Sequence, residues 1–277
     1  MDEKKILLID GNNLAYRAFY ALPDTIATSS GTKTNAVLGF TSMLLKLIDE
    51  EKPESIICAF DSKGPTFRHD MYKEYKMHRK KMPEELTRQL PLIKEVLKVF
   101  NILCLEKPGY EADDIIATIV KAVYSKFNDI YIITGDKDIL QLVSDKVRVI
   151  ANKKGITDTV IYDEEKVREK YGVGPEKIKD LLALIGDSSD NIPGIPGIGP
   201  KTAEKLLKEY EGLGDIFKNI DNIESKRIKN LLKDKEDLAK KSLKLTELKL
   251  DQDLDVGEVV EESFRNIDLT KVRNLFH

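Results

Sequence analysis

Nine carboxylates and one glycine-rich turn are the residues whose types and spacing could do chemistry in this chain. The densest group lies in YEADDIIATI, where Glu111, Asp113 and Asp114 open an apolar run. Ile115, Ile116, Ile119, Val120 and Val123 then recur at three- and four-residue intervals, the pattern of a helix with one buried face. One acid in a first helical turn is ordinary, because the unpaired N–H groups there carry partial positive charge. Three acids at one helix start repel each other unless something positive lies between them. Asp10, Asp61, Asp136, Asp138, Asp187 and Asp190 occupy comparable places at the ends of predicted elements. Any one of them could simply start a turn. Nine converging carboxylates are costly without cations among them. Oxygen ligands without His or Cys select hard ions, Mg²⁺ or Mn²⁺, over zinc. Two such ions about 4 Å apart are suited to phosphodiester hydrolysis.

Elements must bring these acids together. Lys5–Asp10 (KILLID), Ser55–Phe60 (SIICAF) and Asp129–Ile133 read as uninterrupted apolar strands, and each ends in or runs on to an aspartate: Asp10, Asp61 and Asp136. Further strands are expected at Ile102–Leu105 and Val147–Ala151, with a turn at Lys154-Gly155 and helices over 34–50 and 176–185. Continuous apolar strands fit a parallel sheet covered on both faces. In such sheets the functional crevice lies outside the carboxyl ends of the strands. Asp187 and Asp190, three apart in GDSSDNIPG, are expected on one side of a helical turn.

Residues 63–81 change character. Lys63, Arg68, Lys73, Lys76, Arg79, Lys80 and Lys81 face only Asp70 and Glu74, a local excess of five positive charges. Phe67, Tyr72 and Tyr75 are interleaved with them. Lys and Arg meet phosphates and rings stack on bases, so the segment suits a nucleic-acid strand; a solvated charged face is the plainer alternative. Ile195–Ala203 (IPGIGPKTA) reads as a turn feeding a helix, where Gly197 and Gly199 permit close approach of a phosphate favoured by the helix start and Lys201. The GxxxxGK[ST] spacing of an ATP-binding loop is absent from this turn.

The bulk composition sets outer bounds. The 277 residues suffice for one large domain or two modest ones, and 41% are hydrophobic and 34% charged. The net charge of −3 announces no nucleic-acid partner by itself, so local distribution has to decide. Two cysteines, Cys58 and Cys104, are too few for a disulfide framework or zinc site. No apolar run reaches transmembrane length, and MDEKKILLID lacks a signal-peptide pattern, so a cytoplasmic protein is expected.

The blocks LIDGNN, AFD, YEADD, TGDKD, GDSSDNIPG and IPGIGPKTA, in this order, resemble the 5′-nuclease domain of bacterial DNA polymerase I and, more broadly, the flap endonucleases. The resemblance covers essentially the whole chain. It implies a PIN-like α/β nuclease core over 1–174 with a basic helical arch about 63–90, then a helical region over 175–277 with a helix–three-turn–helix at about 176–210. It implies two Mg²⁺ ions, replaceable by Mn²⁺, held by Asp10, Asp61, Glu111, Asp113, Asp114, Asp136, Asp138, Asp187 and Asp190. Lys76 and Arg79 match the family's arch lysine and arginine and, with Asp113, are the expected catalytic residues. DNA contacts are expected from Arg17, Lys73, Tyr75, Lys76, Arg79, Lys80, Gly197, Gly199, Lys201 and Thr202, with K⁺ at the helix–three-turn–helix. The implied activity is cleavage at free 5′ ends, nicks and the base of 5′ flaps, including RNA primer–DNA, by a monomer. No polymerase or proofreading domain follows, so the resemblance implies either an excised domain or a free-standing nuclease; the closing VRNLFH, similar to the start of the family's linker segment, favours the former. A PIN-domain ribonuclease would carry fewer acids and lack the IPGIGPKTA hairpin, and a non-catalytic binding module would have lost acids.

Overall fold

Ile6, Leu7, Leu8 and Ile9 are fully buried, and this run is the centre of a six-stranded sheet. Burying each such side chain contributes about 1.5–3 kcal/mol. The computed structural model describes residues 4–154 and 158–250, together with 253, 254, 260, 263 and 264. Its strands are β1 (Lys5–Asp10), β2 (Ser55–Ala59), β3 (Leu103–Leu105), β4 (Asp129–Ile133), β5 (Val147–Lys154) and β6 (Asp158–Tyr162). They lie in the order β3-β2-β1-β4-β5-β6. The first five are parallel and β6 returns antiparallel to β5. β6 was not expected: its half-buried DTVIY has neither a continuous apolar run nor a full alternation.

Helices cover both faces, as a parallel sheet requires. On one face lie α1 (Gly11–Ala21), α2 (Asn35–Glu51) and, after the short α3 (Phe67–Met71), α4 (Glu84–Val99). On the other lies α5 (Ala112–Val123), the acidic helix of the sequence, backed by the later helices. These are α6 (Glu164–Tyr171), α7 (Ile178–Ile185), α8 (Pro200–Glu209), α9 (Leu213–Lys218), α10 (Lys226–Leu232) and α11 (Glu236–Thr246). Because the chain leaves β1 to one side for β2 and β3 and to the other for β4 and β5, the strand order reverses at β1. Its carboxyl end, at Asp10, is therefore the switch point where a crevice opens.

Two local expectations change. Within the arch expected at about 63–90 only α3 and the start of α4 are helical, with turns and irregular chain between. Asp187 and Asp190 sit in a loop closed by a bridge between Asp187 and Ile192, not on a helical turn. That loop needs glycine at both feet: Gly186 and Gly194 have φ of 76° and 59°, and a Cβ on Gly194 would lie 2.3 Å from the Gly186 nitrogen. Among the described residues no helix is long and apolar enough to cross a membrane. VRNLFH lies outside the described residues.

Candidate active site

Four acids at or near the switch point each hold a backbone N–H in place. Asp10 caps α1 by accepting from the Asn13 N–H at 2.9 Å, and its other oxygen accepts from the Thr134 hydroxyl at 2.9 Å. Asp61 accepts from the Ala112 N–H at 2.8 Å, at the first turn of α5. Asp136 accepts from the Asp138 N–H at 3.0 Å, and Asp187 from the Ser189 N–H at 2.8 Å. Turn-forming and chemical readings of these aspartates are thus compatible. Asn12 and Asn13 brace the same edge, accepting from the N–H groups of Asp61 and Gly135.

The result is a cleft of about 180 Å³ lined by Asp10, Asp61, Glu111, Asp113 and Asp136, with Asn12, Asn13, Tyr16, Lys76 and Arg79. Asp138, Asp187 and Asp190 lie nearby: Asp138 feels the charges of Asp136, Asp190 and Asp187, and Asp136 feels that of Asp190. Burial pushes Asp10 up to about 7, against its hydrogen bonds and with help from the Asp61 charge. Burial first, then Asp136 and Asp10, raise Asp113 well above its usual range. Burial likewise raises Asp61, Asp136 and Asp138. Buried Oδ1 atoms of Asp113 and Asp138 have no hydrogen-bond partner. Unpaired acceptor oxygens in a set of crowded carboxylates fit a hard divalent cation.

Protein cations already lean over this site. Lys76 Nζ donates to Glu111 Oε1 at 2.6 Å and lies 3.6 Å from Asp190 Oδ2. Arg79 reaches Asp190 Oδ1 at 2.6 Å, and Lys137 reaches Asp187 at 3.2 Å. Against burial, Lys76 and then Arg68 hold Glu111 below its ordinary value. Among the described residues no three carboxylate, imidazole or thiolate side chains are drawn close enough to ligate one ion directly. Lys76 has a left-handed backbone, φ 55°, and its N–H donates to the Asp190 carbonyl at 2.9 Å. Beneath it Tyr75, Ile192 and Leu245 form a small apolar cluster that pins the segment down.

Three sequence expectations need revising against this geometry. Asp114 is fully buried, and both its oxygens are taken by Arg68, by the Glu111 N–H and by the Lys249 N–H. It does not face the cleft. Tyr75 is 3% exposed and donates its hydroxyl to Glu111 and Asp190, so it offers no face for stacking. Arg68, counted with the basic surface, is internal. Lys73, Lys80 and Arg79 are exposed, and Arg17 is half-buried on α1. Gly197 (φ 88°) and Gly199 precede α8, with exposed Lys201 and half-buried Thr202 in its first turn. Lys137 was legible inside TGDKD and was overlooked, as were Tyr16 and Thr134; Arg68 had no signal beyond its charge.

Deprotonated carboxylates bind cations and protonated ones do not. Asp10 keeps a proton when folded, up to about 7, that the unfolded chain releases near its ordinary value of 3.8. Its contribution to stability therefore falls as pH rises through that window, and a bound cation should offset the loss. Mg²⁺ should raise the unfolding temperature more at about pH 8 than at about pH 5. Thermal melts with and without the ion at both values check this, and an equal shift would contradict it.

Acids grouped at the carboxyl edge of a parallel sheet, with lysine and arginine leaning over them, define an enzyme of the resolvase-like nuclease class. Residues 5–172 match the family model of the 5′-3′ exonuclease N-terminal resolvase-like domain and residues 173–268 that of its C-terminal SAM fold, so the chain belongs to the 5′-3′ exonuclease family. DNA polymerase I of Bacillus subtilis is 49% identical over 196 residues, 71% of this chain and 22% of the relative. The enzyme of Mycobacterium leprae is 47% identical over 193 residues, 69% of this chain and 21% of that one. The chain thus spans about a fifth of the length of these curated relatives. In fold it is similar to the bacteriophage T5 flap endonuclease in a complex with DNA and metal ions, with TM-score 0.75, 22% identity, and coverage of 99% of this chain and 100% of that one. The catalytic core of Rad2 with a DNA substrate gives TM-score 0.56 at 21% identity, covering 99% and 87%.

Proposed function

We propose that this chain is a structure-specific 5′ nuclease that hydrolyses DNA phosphodiesters at 5′ ends, nicks and 5′ flaps, in primer removal and repair. The observation carrying this is the convergence of Asp10, Asp61, Glu111, Asp113 and Asp136 on one cleft, with the unpartnered Asp113 oxygen buried among them. These five, with Asp138, Asp187 and Asp190 nearby, are the residues to hold two Mg²⁺ ions, or Mn²⁺ in their place. Asp114 is assigned to Arg68 instead. Bound Mg²⁺ supplies Lewis-acid polarisation of the phosphoryl group and a nucleophile at neutral pH. The residues of the chain orient the rest. Lys76 and Arg79 neutralise Glu111 and Asp190; divalent cations held by the acids would free both side chains for the scissile phosphate, where charge develops. Arg17, Lys73 and Lys80 meet further phosphates. Gly197, Gly199, Lys201 and Thr202 grip the duplex backbone away from the cut, with K⁺ accommodated in that turn. The domain division is placed after residue 174, and the working unit is a monomer that precedes a polymerase in the full-length protein.

A 5′-labelled flap assay tests the reading. Cleavage is expected with Mg²⁺ or Mn²⁺, and none in EDTA. Ca²⁺, larger and looser in geometry, should support binding without cutting. Full activity in EDTA would sink the metal mechanism.

A further inference from the structure

Arg68 is 2% exposed, and its guanidinium donates in every direction. Nη1 reaches Asp114 Oδ2 at 2.6 Å and Glu111 Oε2 at 3.3 Å; Nη2 reaches Asp114 Oδ1 at 2.9 Å and the Glu247 carbonyl at 3.1 Å; Nε reaches the Leu245 carbonyl at 2.9 Å. The partners come from two parts of the molecule. Glu111 and Asp114 belong to the start of α5 on the sheet, whereas Leu245 and Glu247 lie at the end of α11 in the helical region. A guanidinium at a helix C-terminus is favoured by the exposed carbonyls there, and a bidentate carboxylate pair adds a fixed direction.

The other end of this connection is the second group of acids. Ser242 on α11 is fully buried, and its Oγ accepts from the Gly194 N–H at 3.2 Å, at the foot of the loop that carries Asp187 and Asp190. Leu245 shares an apolar cluster with Tyr75 and with Ile192 of the same loop. A continuous path of hydrogen bonds and packing therefore runs from Glu111 through Arg68 and α11 to Asp190. We infer that Arg68 is a positioning residue that sets the spacing between the two acid groups, Glu111 and Asp113 on the core and Asp187 and Asp190 on the helical region. It acts through Asp114, and none of its donors is left to contact DNA. This deepens, and rests on, the two-ion nuclease reading above.

The test uses Arg68→Gln and the double variant Arg68→Gln/Asp114→Asn, in the whole chain. Three quantities are measured: rate and half-saturation on a 5′-labelled flap with Mg²⁺, Mn²⁺ affinity by calorimetry without DNA, and the unfolding temperature. Arg68→Gln should lower the saturated rate by about 10²-fold, because small misplacements at a reacting centre cost that much, with half-saturation little changed. Mn²⁺ affinity should fall by about 10-fold, the size of effect seen when a residue orienting metal ligands is lost. Removing both charges of a buried pair avoids the unpaired group, so the double variant should recover the unfolding temperature while rate and Mn²⁺ affinity stay low. If Arg68→Gln fails to fold, the double variant decides alone. Recovery of rate and affinity together with stability would reduce Arg68 to a structural staple and overturn the inference, as would a wild-type Mn²⁺ isotherm and rate in a folded Arg68→Gln. A changed half-saturation at unchanged rate would make it a DNA contact and overturn it too. Failure of the wild type to cleave would instead strike the nuclease reading, with the Mn²⁺ isotherms still testing the spacing.

Discussion

Asp113→Asn is expected to remove nearly all cleavage while leaving the protein folded and its DNA affinity equal or tighter. Asp113 Oδ1 is buried with no partner, and burial together with the Asp136 and Asp10 charges disfavours its ionised form. An amide of the same shape relieves that repulsion, so stability should hold or rise. The carboxylate is one of five that line the cleft, and losing one electrostatic partner of a transition state costs about 10²–10³-fold. Asp114→Asn, one residue along, should act first on stability. Its carboxylate is the bidentate partner of Arg68, and removing one side of a buried pair costs about 3–5 kcal/mol. Single-turnover rates and thermal melts of the two variants separate them. Near-wild-type cleavage by the Asp113 variant would contradict the assignment.

That contrast shows where sequence reading stops. Carboxylates at the ends of KILLID and SIICAF, and the acid triplet before the α5 apolar run, could be placed because strand and helix periods are local. Their gathering at one edge follows from a parallel sheet. Asp113 could be ranked above Asp114 from the sequence, but that Asp114 turns away from the cleft altogether was not legible. That depends on Arg68, which is 46 residues from Asp114 and sits in a segment that reads as basic surface. Tyr75 misled for a related reason: aromatic residues between lysines suit stacking, yet here the ring packs beside Ile192 and Leu245. Contacts across that separation leave no periodic trace. The Asp187–Asp190 spacing fits a helical turn equally well, and the Asp187–Ile192 bridge with Gly186 crowded against Gly194 shows that the backbone takes a tight loop instead.

Lys76→Ala and Lys201→Ala should divide binding from chemistry. Lys76 is held by a left-handed turn whose N–H is bonded to the Asp190 carbonyl, and its Nζ lies among the acids. Burial works against its charge, and Glu111 and Asp190 outweigh burial, so its pKa is raised and it stays a cation. A cation fixed beside the reacting phosphate acts on charge that appears only in the transition state. Its loss should lower the single-turnover rate on saturating flap by about 10²-fold, with binding weakened only modestly. Part of the ground-state cost should be offset, since Glu111 Oε1 then becomes open to a cation while Arg68 and Tyr75 still hold Oε2. Lys201, exposed in the first turn of α8, is proposed to meet the duplex backbone and not the reacting centre. Its removal should weaken affinity across sequences and flatten the salt dependence by about one counterion, leaving the saturated rate unchanged. Measuring both variants at two salt concentrations resolves the split. If both substitutions altered affinity alone, the strap over the acids would be a binding surface, and the reaction would have lost the cation assigned to it here.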